Sequence, residues 1–352
     1  MISLCLALVG LILLTLRLWP RGAGPQPRDR AWPKVSLIIP ARNEEAHLPR
    51  LLDSLEAIDY PNLEIIVVDD SSTDATLAIA QRYPVQVVSG RPRPEGWLGK
   101  PWACHQGSLQ ATGELLLFTD ADTDHRPESL KIAVATLLDQ KAAALSALPF
   151  HQNPKLWERL TGPFQLLLIA LTNPYGTPKK GRVFAIGQYL LFHRSHYDAI
   201  GGHEAIRSEN VDDLALAGRI LDVGARWVVY TGRSLYSVHM YETLMEFIQG
   251  WRRNFRGGMR HNSPLSALEV GLFFMAMTKG LDGEPLSLAI SGMTVVVLAL
   301  TQNKIGSFSI AGILLLPFSI ILFTGISLLA VYDKVLLRPL VWKNRSYAPS
   351  RG

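Results

Sequence analysis

A chain of 352 residues has room for one large domain plus smaller elements, and 48% hydrophobic content with a positive mean hydropathy argues against a wholly water-exposed molecule. The formal charge of +5 is modest and gathers beside the apolar runs. That suits an anionic membrane surface and speaks against a nucleic-acid binder, since no basic stripe with RNA-type motifs occurs. Cys5 lies in the first apolar run and Cys104 in the polar middle, so no intramolecular disulfide is expected and a reducing compartment fits.

Residues 2–16, ISLCLALVGLILLTL, are uncharged, and no small-residue cleavage site follows them. With no positive charge ahead of the run, 1–19 reads as an uncleaved transmembrane anchor rather than a cleaved signal peptide. Residues 20–33 are a Pro-, Gly- and Arg-rich linker. Arg17, Arg21, Arg28, Arg30 and Lys34 near the anchor's end place that side in the cytoplasm, under an inner or plasma membrane.

From Val35, short β-rich runs alternate with helix-period segments: VSLIIPA, a helix over 44–57, LEIIVVDD, a helix over 74–82, VQVVSG, a helix near 101–111, and ELLLFTDAD. The alternation predicts an α/β domain over 34–238, with a mostly parallel, Rossmann-like sheet flanked by helices. Ligands of such sheets bind at the carboxyl ends of strands. Two strands here end in acid, at Asp69 and Asp70 and at Asp120 and Asp122. Alone, DDSSTDAT also suits a turn before a helix start, and TDADTD a solvated turn. Asp120, Asp122 and Asp124 recur at every second residue, however, so extended backbone would send all three side chains to one side. Hard oxygen donors grouped in this way suit Mg2+ or Mn2+, which also hold a diphosphate.

Residues 91–107, RPRPEGWLGKPWACHQG, start as a loop, and Lys100 precedes a proline able to open a helix. A lysine there opposes the helix dipole, so a compensating anion is expected; the alternative is a surface loop with Trp97 and Trp102 in the core. In SENVDDLALAGR, residues 208–219, Glu209, Asp212 and Asp213 precede Leu214, Leu216, Ile220 and Leu221, a helix with a buried face and acids at its start. No histidine pair has zinc-site spacing. Tyr241, Leu244, Met245, Ile248, Trp251 and Phe255 follow helical spacing beside Arg252, Arg253, Arg256 and Arg260. Residues 239–281 are therefore expected to form amphipathic interfacial helices, with 265–281 a possible span. Residues 286–332 hold two apolar runs that read as transmembrane helices, before a basic tail, 333–352, whose charges favour a cytoplasmic end and an odd number of spans, taken as three.

In this order VSLIIPARNEE, VVDDSSTDAT and LLLFTDADT resemble the nucleotide-binding half of family 2 glycosyltransferases of the GT-A fold, a resemblance covering roughly residues 33–260. Those are inverting enzymes that use nucleotide-diphosphate sugars and a divalent metal. The resemblance implies a nucleoside pocket lined by Pro40, Ala41, Asn43 and Glu44, with Asp69 and Asp70 on the base or ribose. It also implies a D-x-D pair, Asp120 and Asp122, that places Mg2+ or Mn2+ on the diphosphate of the donor, a UDP-sugar in the first instance. Asp124 is a third candidate ligand, or a turn residue before Pro127.

GWLGKPWACHQG and GRVFAIGQYLLFHRSHYDAIGGHEAIR resemble a subgroup associated with carotenoid and hopanoid pathways. That implies Lys100 on the sugar diphosphate and Gln188 and His203 at the acceptor pocket. Asp212 and Asp213 align on the family's Glu-Asp pair, with Leu216 and Arg219 following and Asp in place of Glu at the first position. Asp213 is then the catalytic base and Asp212 its orienting neighbour, while Glu209 is a loop residue. QGWRR is similar to the Gln-x-x-Arg-Trp motif of processive synthases, with Arg253 in place of Trp. Trp251 and Arg252 are acceptor-side candidates, Trp251 equally an interfacial anchor.

Together these features imply a membrane-anchored, metal-dependent inverting glycosyltransferase. It would move a hexose from a nucleotide-diphosphate sugar to a hydroxyl or carboxyl of a lipid-like acceptor of carotenoid, hopanoid or polyprenyl type. A processive polysaccharide synthase is the alternative, disfavoured by the altered motif and the few spans. A non-catalytic membrane scaffold is a third, opposed by the intact Asp120, Asp122 and Asp213.

Overall fold

The computed structural model describes residues 1–19, 30–178, 183–209, 211–258, 265–336, 340–342 and 345–347. Most of the expected linker, Arg260 and much of the basic tail lie outside the described residues. Helix α1 (Ile2–Leu18) precedes the α/β domain, which opens β1 (Val35–Ala41), α2 (Leu48–Glu56), β2 (Leu63–Asp69), α3 (Thr76–Ala80), β3 (Gln86–Ser89), α4 (Gly99–Gln110) and β4 (Leu115–Thr119). It continues β5 (Thr123–His125), α5 (Ser129–Asp139), β6 (Ala144–Leu148), β7 (Phe150–His151), α6 (Leu156–Arg159) and α7 (Gly162–Thr172). Next come β8 (Tyr189–His193), α8 (Arg194–Ala199), α9 (Asp212–Asp222), β9 (Trp227–Thr231) and β10 (Tyr236–Val238). Helices α10 (Leu244–Gly258), α11 (Leu265–Thr278), α12 (Pro285–Ile305), α13 (Ile310–Leu314) and α14 (Leu316–Val335) follow.

β1 is apolar along nearly its whole length because both faces of the sheet are covered. Leu37 and Ile39 pack with Leu48, Leu51, Leu52 and Leu55 of α2, whereas Ile38 packs on the other side with Ala103 and Cys104 of α4. The seven-stranded sheet runs β3-β2-β1-β4-β8-β6-β9. β1 pairs in parallel with both β2 and β4, so the strand order reverses there, and a crevice forms beyond the carboxyl ends of β1, β2 and β4. β8 runs antiparallel between β4 and β6, with Tyr189 opposite Thr119. That orientation brings the start of β8 to the same edge as the ends of its neighbours. The sheet is thus mostly parallel, with one strand reversed.

The remaining helices surround α7. Buried Leu14 and Leu18 of α1, Leu166 and Ala170 of α7, Phe273 of α11 and Leu298 of α12 share one cluster. α1 and α11 approach so closely that a Cβ on Gly10 would stand 2.1 Å from the Leu272 carbonyl oxygen, which only glycine permits. Arg17, expected at a charged flank, is instead buried: it donates to Glu269 of α11 at 2.7 and 2.5 Å and to the Ala170 carbonyl at 3.0 Å. Among the described residues, Pro285–Ile305 and Phe318–Val335 are long and apolar enough to cross a membrane, and Ile2–Leu18 and Gly162–Thr172 are shorter apolar helices. Outward-facing Leu8 and Ile12 of α1, Leu288, Met293 and Val296 of α12, and Ile321 and Leu328 of α14 are exposed.

Candidate active site

The crevice floor is built from loops that hold one another. Asn43, at φ 52°, donates its N–H to Ser72 Oγ at 3.0 Å, and its Oδ1 accepts the Thr73 N–H at 2.9 Å. The Glu44 N–H donates to Thr76 Oγ1 at 2.7 Å. These bonds use residues 44–47 as a turn, so α2 starts at Leu48 instead of 44. Asp69 and Asp70 are buried at the end of β2, and the Asp70 N–H donates to the Ala41 carbonyl at 2.8 Å. Ala41 therefore belongs to the core, while Pro40 is half-buried at the same edge.

β4 stops at Thr119 and the chain turns through Asp120–Asp122, closed by Thr123 Oγ1 donating to the Asp120 carbonyl at 2.8 Å. The backbone is not extended here, so the every-second-residue pattern does not gather three carboxylates. Asp124 turns away on β5 to pair with Arg50 at 2.7 Å, and this corrects its expected place beside Asp120 and Asp122. Asp122 keeps a buried Oδ1 with no hydrogen-bond partner. Burial, then Asp120 and Glu44, raise its pKa to about 6.

Lys100 reaches across from the first turn of α4. Its Nζ lies 2.6 Å from Asp120 Oδ1 and 3.9 Å from Asp212 Oδ2, and the three side chains keep 23, 30 and 13% exposure. Burial opposes its charge, yet Asp120 and Asp212 more than offset this and hold the ammonium well above its usual range. Asp212 and Asp213 form the first turn of α9, which no N-cap side chain closes. Arg219 braces that helix by donating to the Ile200 carbonyl at 2.9 Å. Asp213 Oδ1 accepts the Leu214 N–H at 2.7 Å and Oδ2 the Gly187 N–H at 2.8 Å. Burial, then Asp212, raise the Asp213 carboxyl to about 7, against the opposing effects of Lys100 and the two N–H donors. A carboxylate so poised takes up a proton near neutrality.

The expected acceptor residues divide. Gln188 adjoins this group, its carbonyl accepting from Thr119 Oγ1 at 2.8 Å. His203 is 1% exposed, bonded through Nδ1 to the Tyr197 hydroxyl at 2.7 Å and set edge-on to Phe118. Burial lowers its pKa to about 3, so it is a neutral core residue and not part of an open pocket. Trp251 packs on Phe164 and Phe255 at ring distances of 5.3 and 5.7 Å, joining α10 to α7. Arg252 forms a two-pronged ion pair with Asp333 of α14. Both side chains thus join helices to one another here, Trp251 through ring packing and Arg252 through its ion pair. Gly187, whose main chain holds Asp213, is a further site residue, marked in the sequence only by the Gly-Gln step before a strand.

A Rossmann-like sheet with an acid pair at its switch point, and a lysine and a second acid pair facing it, is the GT-A architecture of glycosyltransferases. Residues 36–201, which span most of the α/β domain, match the model described as "Glycosyl transferase family 2". The chain is 28% identical over 337 residues to the 4,4'-diaponeurosporenoate glycosyltransferase of Staphylococcus aureus (strain USA300), covering 90% of this chain and 89% of that one. Among solved structures it is similar to mannosyltransferase PcManGT from Pyrobaculum calidifontis in complex with GDP-Man and Mn2+. That likeness has a TM-score of 0.56 and 20% identity, and covers 94% of this chain and 96% of the other.

Proposed function

We propose that the protein is an inverting glycosyltransferase that moves a sugar from a nucleotide-diphosphate sugar to a hydroxyl or carboxyl of a lipid-like acceptor in the membrane. The observation that carries the acceptor class is continuity: the apolar cluster of α1, α7, α11 and α12 extends to Phe184 and Ile186. The next residue, Gly187, holds Asp213. An acceptor lying along those helices would thus meet the proposed base where the apolar surface ends. The carotenoid acceptor in the bacterial relative's name supports the same class.

The donor's nucleoside would lie over Pro40 and the end of β2 at Asp69 and Asp70, with Glu44 at the rim. Its diphosphate would lie toward Asp120, Asp122 and Lys100. The buried, unpartnered Asp122 Oδ1 and the adjoining Asp120 are hard oxygen donors of the kind Mg2+ or Mn2+ takes. Among the described residues no three acidic, histidine or cysteine side chains are arranged to hold a metal ion by themselves, so a cation held here would draw its other ligands from the diphosphate and water. When bound, it would neutralise charge on the departing diphosphate.

Asp213 removes the proton from the acceptor oxygen as that oxygen bonds to the anomeric carbon from the face opposite the diphosphate. The bond from the anomeric carbon to the diphosphate oxygen breaks, the electron pair leaves with the nucleoside diphosphate, and the product linkage is inverted. Lys100 stabilises the charge growing on the leaving group. Asp212, one residue from the base and facing Lys100, keeps both groups oriented. Asp213→Asn should bind UDP or GDP with Mn2+ as the wild type does while transferring no sugar; loss of nucleotide binding in that variant would remove Asp213 from the base role.

A further inference from the structure

Gly187 occupies a place where two parts of the site meet. The segment leading to it is fastened from both sides: the Ile186 N–H donates to Ser146 Oγ at 2.9 Å, and Trp227 Nε1 donates to the Phe184 carbonyl at 2.9 Å. Ser146 is fully buried in β6, so this bond ties the main chain at Ile186 to the sheet. From this fixed point the Gly187 N–H donates to Asp213 Oδ2 at 2.8 Å. The missing side chain matters as much. A Cβ at this position would stand 2.9 Å from Lys100 Nζ, but 3.6 Å from Asp213 Oδ2 and 3.8 Å from Asp212 Oδ1. The first distance is shorter than real carbon contacts; the other two are ordinary van der Waals separations.

We propose that Gly187 is a positioning residue for transfer: its N–H aims Asp213, and its bare α-carbon is the slot through which Lys100 reaches Asp120 and Asp212. The inference rests on the reading of Asp213 as base and Lys100 as diphosphate contact, and assigns to a main-chain position the setting of both. Gly187 does not adopt a positive φ, so alanine meets no backbone strain there. The one close contact is with the far end of a flexible side chain, which can swing aside. Alanine is therefore tolerated by the fold and felt by the lysine, which loses its simultaneous reach to Asp120 at 2.6 Å and Asp212 at 3.9 Å. A displacement of about 1 Å at a charge-stabilising group costs about 100-fold in rate.

The test is a double-mutant cycle on the full chain in membranes, with a labelled UDP- or GDP-hexose that the wild type uses. Gly187→Ala should lower kcat about 100-fold with a smaller change in donor KM, and its melting midpoint should stay within about 2 °C of wild type. In a Lys100→Ala background, where the colliding Nζ is gone, the same glycine change should cost less than about threefold. A wild-type kcat for Gly187→Ala, or an equal loss with and without Lys100, overturns the proposal. If Gly187→Ala alone does not fold, folding restored by adding Lys100→Ala supports the slot, and failure of both variants overturns it. Asp213→Asn is run in parallel. An active Asp213→Asn defeats the base assignment itself, whereas an inactive one beside a fully active Gly187→Ala defeats only the role of the glycine.

Discussion

Replacing Asp213 by Asn is expected to stabilise the protein while stopping transfer. The carboxyl's pKa rises from 3.8 to about 7, first through burial and then through Asp212. Because the folded value lies above the unfolded one, the native state holds a proton that the unfolded chain releases between these values. The contribution of this one group to stability is therefore fully present below about pH 4 and is lost as pH rises toward 7, above which both states are ionised and the loss levels off. A gap of about three units is worth about 4 kcal/mol. Water reaching the half-buried side chain reduces this to about 2–3 kcal/mol. Asn Oδ1 keeps an acceptor for Gly187 or Leu214 but not both, a loss of about 1 kcal/mol. The net gain of about 1–2 kcal/mol corresponds to about 2–6 °C in melting midpoint for a chain of this size. Thermal melts of detergent-solubilised wild type and Asp213→Asn between pH 5 and 8 measure it, the advantage of Asn widening toward pH 7. A variant less stable than wild type at pH 8, or a difference that ignores pH, would mean that the fold does not hold a proton on Asp213.

Arg17→Met removes the guanidinium partner of the buried Glu269 and should cost about 3–5 kcal/mol in thermal melts, with most of it recovered in Arg17→Met/Glu269→Met; additive losses would show that the pair is not coupled. Asp122→Asn should weaken Mn2+-dependent binding of UDP and GDP by about tenfold or more in isothermal titration, as EDTA should for the wild type. Nucleotide binding indifferent to both changes would take Asp122 out of the ligand set. Transfer should rise with pH through about 7 as Asp213 ionises; a flat profile from pH 5 to 8 contradicts a base with the raised value given by its burial.

The strands that carry the site were legible because a buried parallel strand leaves a run such as VSLIIPA or LLLFT, and its end is marked where apolar residues give way to acid. The α9 helix start was legible for a similar reason, through Leu216 and Ile220 at the spacing of a buried face. Asp124 was misplaced because periodicity assumes an extended backbone, and a turn at Ala121–Asp122 breaks it. His203 sits beside an acceptor-like motif in sequence, but the Gly201–Gly202 turn, with φ of 79° and 49°, folds it back into the core. Helix α7 escaped notice because it is apolar on all sides and only 11 residues long, so it shows neither an amphipathic stripe nor the length of a span. Its clues were Pro163 in the first turn and Asn173 in a left-handed cap. Arg17 looked like a flanking charge because its partner, Glu269, lies 252 residues away.

Glycosylation of a lipid is measured by incubating membranes that contain the protein with labelled UDP- and GDP-hexoses and partitioning the products between organic solvent and water. Transfer to a membrane lipid with Asp213 as base predicts label in an organic-soluble lipid with wild-type protein and none with Asp213→Asn. Label confined to a water-soluble polymer, or lipid labelling that persists in Asp213→Asn, would contradict it.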